Sequence, residues 1–419
     1  MGDWDFFDDK PEITYRPQQS SKRKIKKELP KWPKTLLIFI IVFALLGRFT
    51  EKDKHADKGN NSSLINNETE QAGQENSKES ETSEFAYYCY NQLNAKDKKT
   101  YTLIYNAMFD MKTTVQIQET DKDTMSYIVN MIMADHPELF WCDGVYTYIS
   151  YDNYSDFSPS YIYDTVEKKS RQKEIDHITN SFLRQLNSEM SDYDKIKSVY
   201  EYVIESTDYV TGAPDNQNIY SSIVNRKSVC AGYARMTQYF LQQLGIETLF
   251  VPGFVDGTES HAWNIVKCNG KYYQVDATFG DRENAEATQQ YEQPNEMKVN
   301  YDYLCCTDSK MYADRITDAS YELPICNSND LNYYQLQGTY YEEYPENIWE
   351  QLELAVKRGD KLWQCQFANY DDYQSMLKEL ESGVWAGIVN DYRTSIGYNE
   401  NITAWHLGSE DMYTISCWY

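Results

Sequence analysis

The chain has no CxxC pair, and none of its nine cysteines and five histidines form a group at zinc-ligand spacing. A structural metal is therefore not expected, and no cofactor is called for. Positive charge is scarce: 40 Lys and Arg stand against 65 Asp and Glu, a formal net charge of −25. An acidic body repels phosphate backbones and anionic lipid, which excludes nucleic acid as a partner of the main domain. Internal repeats are absent. Long apolar runs are missing too: Thr35–Gly47 (TLLIFIIVFALLG) supplies only 13 uncharged residues between Lys34 and Arg48. At ~1.5 Å per residue that is about 20 Å, short of a ~30 Å hydrocarbon core.

What surrounds this run decides how it reads. Residues 1–34 hold nine Lys and Arg against six Asp and Glu, so they carry +3 and the remainder −28. The basic cluster Lys22, Arg23, Lys24, Lys26 and Lys27 leads into the run, and no small-x-small cleavage site follows it. Lys34 and Arg48 can snorkel, with Trp32 and Phe49 as interfacial aromatics. Residues 35–49 therefore read as an uncleaved signal anchor. Residues 1–34 form a cytoplasmic basic tail, and the body is extracytoplasmic on a single-pass membrane protein. Glu51–Glu84 has almost no large apolar side chains. It cannot bury enough surface to offset its ordering entropy, so residues 50–84 read as a disordered stalk.

Three folded segments are expected after the stalk. Residues 85–179 form an N-terminal support region, with helical spacing over Leu93–Met111 and Thr124–Ala134, the second closed by Pro137. His136 at that helix end reads as a capping residue rather than a catalytic one. Residues 180–310 form the core. There Ser191 is the expected N-cap of a helix with Ile196, Val199, Tyr200, Val203 and Ile204 on its apolar face. Residues 311–419 form a small C-terminal α/β module: YYQLQGTYY, a helix over about 346–358, the strand KLWQCQF, a helix over about 370–380, and the closing strand MYTISCWY.

The chemistry concentrates in Ser228–Asp281. Cys230 opens a helix whose face is Tyr233, Met236, Thr237, Phe240, Leu241 and Leu244, with Gly245 as its stop. The unpaired N–H groups and macrodipole at that first turn favour an anion, and the thiolate is the nucleophilic form of cysteine. His261 begins an alternating run that turns at Asn269-Gly270, a two-residue hairpin signal. Continuing that register places Trp263 opposite Asp276 and His261 opposite Thr278. His261 and Asp276 then share a face as diagonal neighbours, within side-chain reach. An aspartate bonded to the imidazole fixes its tautomer and turns the other nitrogen toward a thiol. A lone cysteine at a helix start is usually core, and a lone strand histidine usually structural. The joint arrangement is what points to a Cys230–His261–Asp276 triad.

At these residues the chain resembles the transglutaminase-like superfamily, a papain-related set of Cys-His-Asp folds. It is most similar to bacterial members related to the cytokinesis-associated transglutaminase-like protein. The carriers are SVCAGYARMTQYFLQQLGI, SHAWNIV and YYQVDATFGD. The resemblance implies an α+β fold with the cysteine helix packed on an antiparallel sheet that carries the histidine and aspartate. It implies acyl transfer through a thioester: Cys230 as nucleophile, His261 as general base then acid, Asp276 as orienter. Gln217, 13 residues before Cys230, is a candidate oxyanion donor, and Trp263 and Tyr273 are candidate walls of the substrate site. The expected partner is a protein or peptide substrate, with the cell wall as one setting for it. The alternative is a non-catalytic cell-surface scaffold on the same fold.

Overall fold

The computed structural model describes residues 87–151, 153–282 and 295–419. The expected basic tail, anchor and stalk lie outside the described residues. Among the described residues, no helix is long and apolar enough to cross a membrane.

The described residues open with α1 (Tyr88–Gln92) and α2 (Ala95–Phe109), separated where Asn94 caps α2 by accepting from the Lys96 and Asp97 amides. The periodicity over Leu93–Met111 is thus carried mainly by the second helix. Helix α3 (Lys122–Asp135) closes before Pro137, where the missing N–H and fixed φ stop a helix. A three-stranded antiparallel sheet, order β1-β3-β2, follows from Val115–Gln118 (β1), Cys142–Ser150 (β2) and Tyr154–Tyr161 (β3). Helix α4 (Thr165–Leu183) was not anticipated. Its sequence lacks an apolar stripe and buries only Ile175, Thr179 and Phe182. It is held by Asp164, which accepts from the Val166 and Glu167 amides, and by the Glu167–Arg171 pair (2.7 Å) one turn apart.

Helix α5 (Asp192–Ser206) starts at Ser191, whose Oγ accepts from the Asp194 amide at 3.1 Å. All five residues assigned to its apolar face are buried, at roughly 1.5–3 kcal/mol for each large side chain removed from water. It packs against α6 (Cys230–Gln243), which is entered through the short parallel pairing of β4 (Asp208–Tyr209) with β5 (Lys227–Ser228). Gly245, at φ +77°, ends the helix.

Helix α6 lies on the central sheet. Five antiparallel strands run in the order β10-β6-β7-β8-β9: β6 is Thr248–Val255, β7 Glu259–Cys268, β8 Lys271–Val275, β9 Leu304–Cys306 and β10 Arg315–Thr317. Asn264 of β7, fully buried, donates to the carbonyls of Ala234 in α6 (3.0 Å) and Leu249 in β6 (3.1 Å), stitching helix to sheet. The hairpin turns at Asn269 and Gly270, both at positive φ (+52° and +77°) as a type I′ turn requires, and Cys268 pairs with Lys271. Val275 leads into α7 (Ala277–Gly280), capped by Asp276.

The C-terminal sheet, order β11-β12-β14-β13, comprises Tyr340–Tyr341 (β11), Leu362–Phe367 (β12), Trp405–Ser409 (β13) and Thr414–Trp418 (β14). It has its own apolar cluster with α8 (Ile348–Arg358), α9 (Tyr370–Glu381) and α10 (Val384–Ser395). YYQLQGTYY is not one strand. Asn332 caps a helical turn over Tyr333–Gln337, and Gly338 at φ +73° ends it before the two residues of β11. The fully buried Asp302 joins core and C-terminal part, accepting from the hydroxyls of Tyr334 (2.8 Å) and Thr414 (2.7 Å).

Candidate active site

Cys230 is the first residue of α6, and that helix start has no side-chain cap. Its position is set from behind. The Asn216 carbonyl accepts from Ser228 Oγ (2.7 Å) and the Val229 amide (3.3 Å), while the Val210 amide donates to the Ser228 carbonyl (2.8 Å). Gly232 is required here, because a Cβ would run into the Ser228 side chain. All nine cysteines carry free thiols, and Cys230 alone is not fully buried.

His261 sits on β7, paired with Gly253 of β6, and is 8% exposed. Its ring lies nearly parallel to Trp263, 5.9 Å between centroids, and Phe279 meets it edge-on at 5.1 Å. Trp263 is itself fixed by Nε1 donating to Gln274 Oε1 at 2.8 Å. Gly253 makes this stack possible: a side chain there would collide with the indole and with the Ile316 carbonyl.

Asp276 is fully buried and every lone-pair direction is used. Oδ1 accepts the Thr278 (3.0 Å) and Phe279 (3.2 Å) amides as the cap of α7. Oδ2 accepts His261 Nε2 at 2.7 Å and Arg315 Nη2 at 3.2 Å. The expected ladder is shorter than the register implied. It stops at Asn264–Val275, because Asp276 turns the chain into α7 instead of pairing with Trp263, and Thr278 is helical rather than opposite His261. The imidazole and carboxylate meet because Asp276 retains the face that the pleat gave it.

Nε2 being taken by Asp276, Nδ1 is the ring nitrogen left for the thiol, and Cys230 lies close enough to the imidazole to favour its charged form. Burial works against a charged imidazole. The Asp276 charge and hydrogen bond, followed by Cys230, outweigh it and raise the His261 pKa from its ordinary 6.5 to about 9. Burial likewise opposes the Asp276 carboxylate, but His261 and then Arg315 hold its pKa below the ordinary carboxylate value. The site thus favours an imidazolium beside an ionised carboxylate, the partner a thiolate needs.

The other candidates fare differently. Gln217 is exposed, one residue past Asn216 and so on the loop tied to the base of α6. Trp263 is buried beneath the imidazole. Tyr273 is not brought to the site. It pairs with Val266, so its side chain leaves the sheet on the face opposite Gln274 and Asp276, and its hydroxyl donates to Asp330 at 2.7 Å. Alternation along β8 places neighbours 273 and 274 on opposite faces, which the sequence pattern already contained. Three residues were missed. Tyr209 stands beside Cys230; burial first, then Cys230, pushes its pKa up to about 12. Phe279 lies within YYQVDATFGD, where the sequence assigns it no role, and Arg315 carries no motif that marks it. Among the described residues, no group of three or more His, Cys, Asp or Glu could hold a metal.

Residues 180–277 match the model of the transglutaminase-like superfamily. The chain is a mixed α+β protein with a transglutaminase-like core. Among solved structures it is similar to a transglutaminase at 15% identity, covering 43% of this chain and 54% of that one, with a TM-score of 0.25. It is also similar to a Cytophaga hutchinsonii chain assigned as a cysteine protease, at 12% identity, 44% and 78% coverage and a TM-score of 0.24. The chain thus spans about half the length of the first of these. No curated protein matches it.

Proposed function

We propose that this chain is a thiol-dependent acyl transferase or hydrolase acting on carboxamide or peptide bonds. The observation that carries the reading is the buried His261 Nε2–Asp276 Oδ2 bond of 2.7 Å, on an imidazole that stands beside the one accessible thiol, at the start of α6. Cys230 loses its proton to His261 Nδ1 and attacks the substrate carbonyl. The tetrahedral oxyanion is met by the Cys230 backbone N–H and by Gln217. His261 then protonates the leaving ammonia or amine, giving a thioester on Cys230. A lysine amine resolves the thioester to a crosslink, and water resolves it to a deamidated or cleaved product. Trp263 positions His261 from beneath.

The basic cluster before Thr35–Gly47 and the stalk composition support a body held outside the membrane by a single N-terminal anchor. Cell fractionation checks this: the full chain is expected with membranes, and recovery from the medium of a form lacking residues 1–47 would contradict it.

The activity is tested by mass spectrometry of a glutamine-containing peptide library incubated with the protein, with and without an added amine. Wild type is expected to give amine adducts, +1 Da deamidation or cleavage, and Cys230→Ala none. A folded wild type that leaves every peptide unchanged favours the scaffold reading instead.

A further inference from the structure

The core match ends at residue 277, yet the carboxylate at residue 276 is held by a residue from well beyond it. Arg315 is the first residue of β10, on the far side of β6 from the histidine strand. Arg315 pairs with Val255, and Val255 with Glu259, so its side chain emerges on the sheet face that His261 shares. Its side chain is fully buried. Nη2 donates to Asp276 Oδ2 at 3.2 Å and Nη1 to Asp314 Oδ1. The guanidinium lies 4.2 Å over the Phe279 ring, the same ring whose edge meets His261.

We infer that Arg315 is a positioning residue of the proposed acyl-transfer site, acting through Asp276 to set the orientation and charge balance of His261. This rests on the function proposed above.

The physical case has two parts. First, Asp276 Oδ2 is shared by imidazole and guanidinium while Oδ1 is fixed by two amides, so Arg315 closes the last direction in which the carboxylate could swing. Second, Asp276 is one negative charge between two cationic partners, one of them permanent. With Arg315 present, losing the imidazolium proton leaves a balanced Asp276–Arg315 pair. With a neutral residue there, that loss leaves a buried carboxylate without a countercharge, so the imidazolium is retained to higher pH. The groups that face this balance are few. His261 faces Asp276 and Cys230. Asp276 also faces Arg315, the neutral hydroxyls of Tyr200, Tyr209 and Tyr303, and the neutral thiol of Cys306. Arg315 itself faces Asp314, Asp411, Tyr303 and Cys306 as well.

The test reads the thiol and not turnover. Iodoacetamide alkylation of Cys230 is followed by peptide mapping from pH 5 to 11 in the full chain, wild type and variants. Wild type is expected to react at pH 6 faster than the denatured chain, with a second rise near pH 9 as the imidazolium deprotonates. Arg315→Met and Arg315→Gln, which remove the charge, are expected to move that upper rise about one pH unit higher. Arg315→Lys is expected to keep it near the wild-type position. If wild-type Cys230 reacts at pH 6 no faster than the denatured chain, the function reading itself falls. If wild type is activated but both neutral variants keep its upper rise, the role of Arg315 is overturned. If both neutral variants fail to fold while Arg315→Lys matches wild type, Arg315 serves the fold alone and the inference is likewise overturned.

Discussion

Asp276 is the residue on which most of the site converges, and its pairing with His261 has a definite pH signature. The His261 pKa is raised from 6.5 to about 9, so its stabilising contribution is complete below about pH 6.5 and is lost as pH rises through about 9. The Asp276 pKa is lowered, so its contribution is present above the ordinary carboxylate value of 3.8 and is lost only as pH falls below that. Asp276→Asn removes both. Thermal melts at pH 5, 7 and 10 should show wild type well above the variant at the first two and a smaller gap at pH 10. The same substitution frees the imidazole to adopt the wrong tautomer, and in the proposed reaction kcat should fall by roughly 10²-fold or more. An equal melting difference at all three pH values would show that the ion pair does not titrate as described. At this scale the sequence said much: Cys230, His261 and Asp276 were identifiable from a helix start and a hairpin register. Arg315 and Tyr209 were not. A buried arginine becomes recognisable only once a second strand brings it against its carboxylate, and nothing in the stretch ADRITD marks that meeting.

The elements that present the site depend on close approaches, and two glycines enable them. Gly232 lets the Ser228 side chain tuck under the first turn of α6, and Gly253 leaves room for the indole that backs His261. Gly232→Ala should cost about 1–3 kcal/mol through overpacking and displace the Cys230 turn. Urea unfolding would measure the first, and the pH 6 alkylation rate of Cys230 the second. Wild-type values for both would mean that the turn tolerates a methyl group. Helices and strands with a clear apolar period were legible here, notably α5, α6 and the β7–β8 hairpin. Others were not, for physical reasons. Helix α4 is capped and pair-stabilised but has no apolar stripe, so periodicity passes it by. Tyr333–Gln337 has the composition of a strand, but Asn332 and Gly338 bracket it as a helical turn. Tyr273 reads as a wall of the site until strand alternation assigns it to the other face.

Across the described molecule, the core and C-terminal sheet communicate through a buried polar contact rather than apolar packing alone. Asp302 accepts two hydroxyls from the C-terminal part, one of them on β14. Asp302→Ala leaves both donors buried without an acceptor, at about 1–3 kcal/mol for each such group. Faster amide exchange in β14, with exchange in β7 unchanged, is the expected outcome; protection equal to wild type in β14 would show that the contact contributes nothing. The central claim concerns the thiol that this scaffold presents. Its most direct test is the intact mass of the protein after a short incubation with an activated acyl-peptide donor and an acid quench. The account predicts one acyl adduct, mapped to Cys230, released by hydroxylamine as a thioester should be, and absent from Cys230→Ala. An adduct of equal yield in Cys230→Ala, or none in folded wild type, would contradict it.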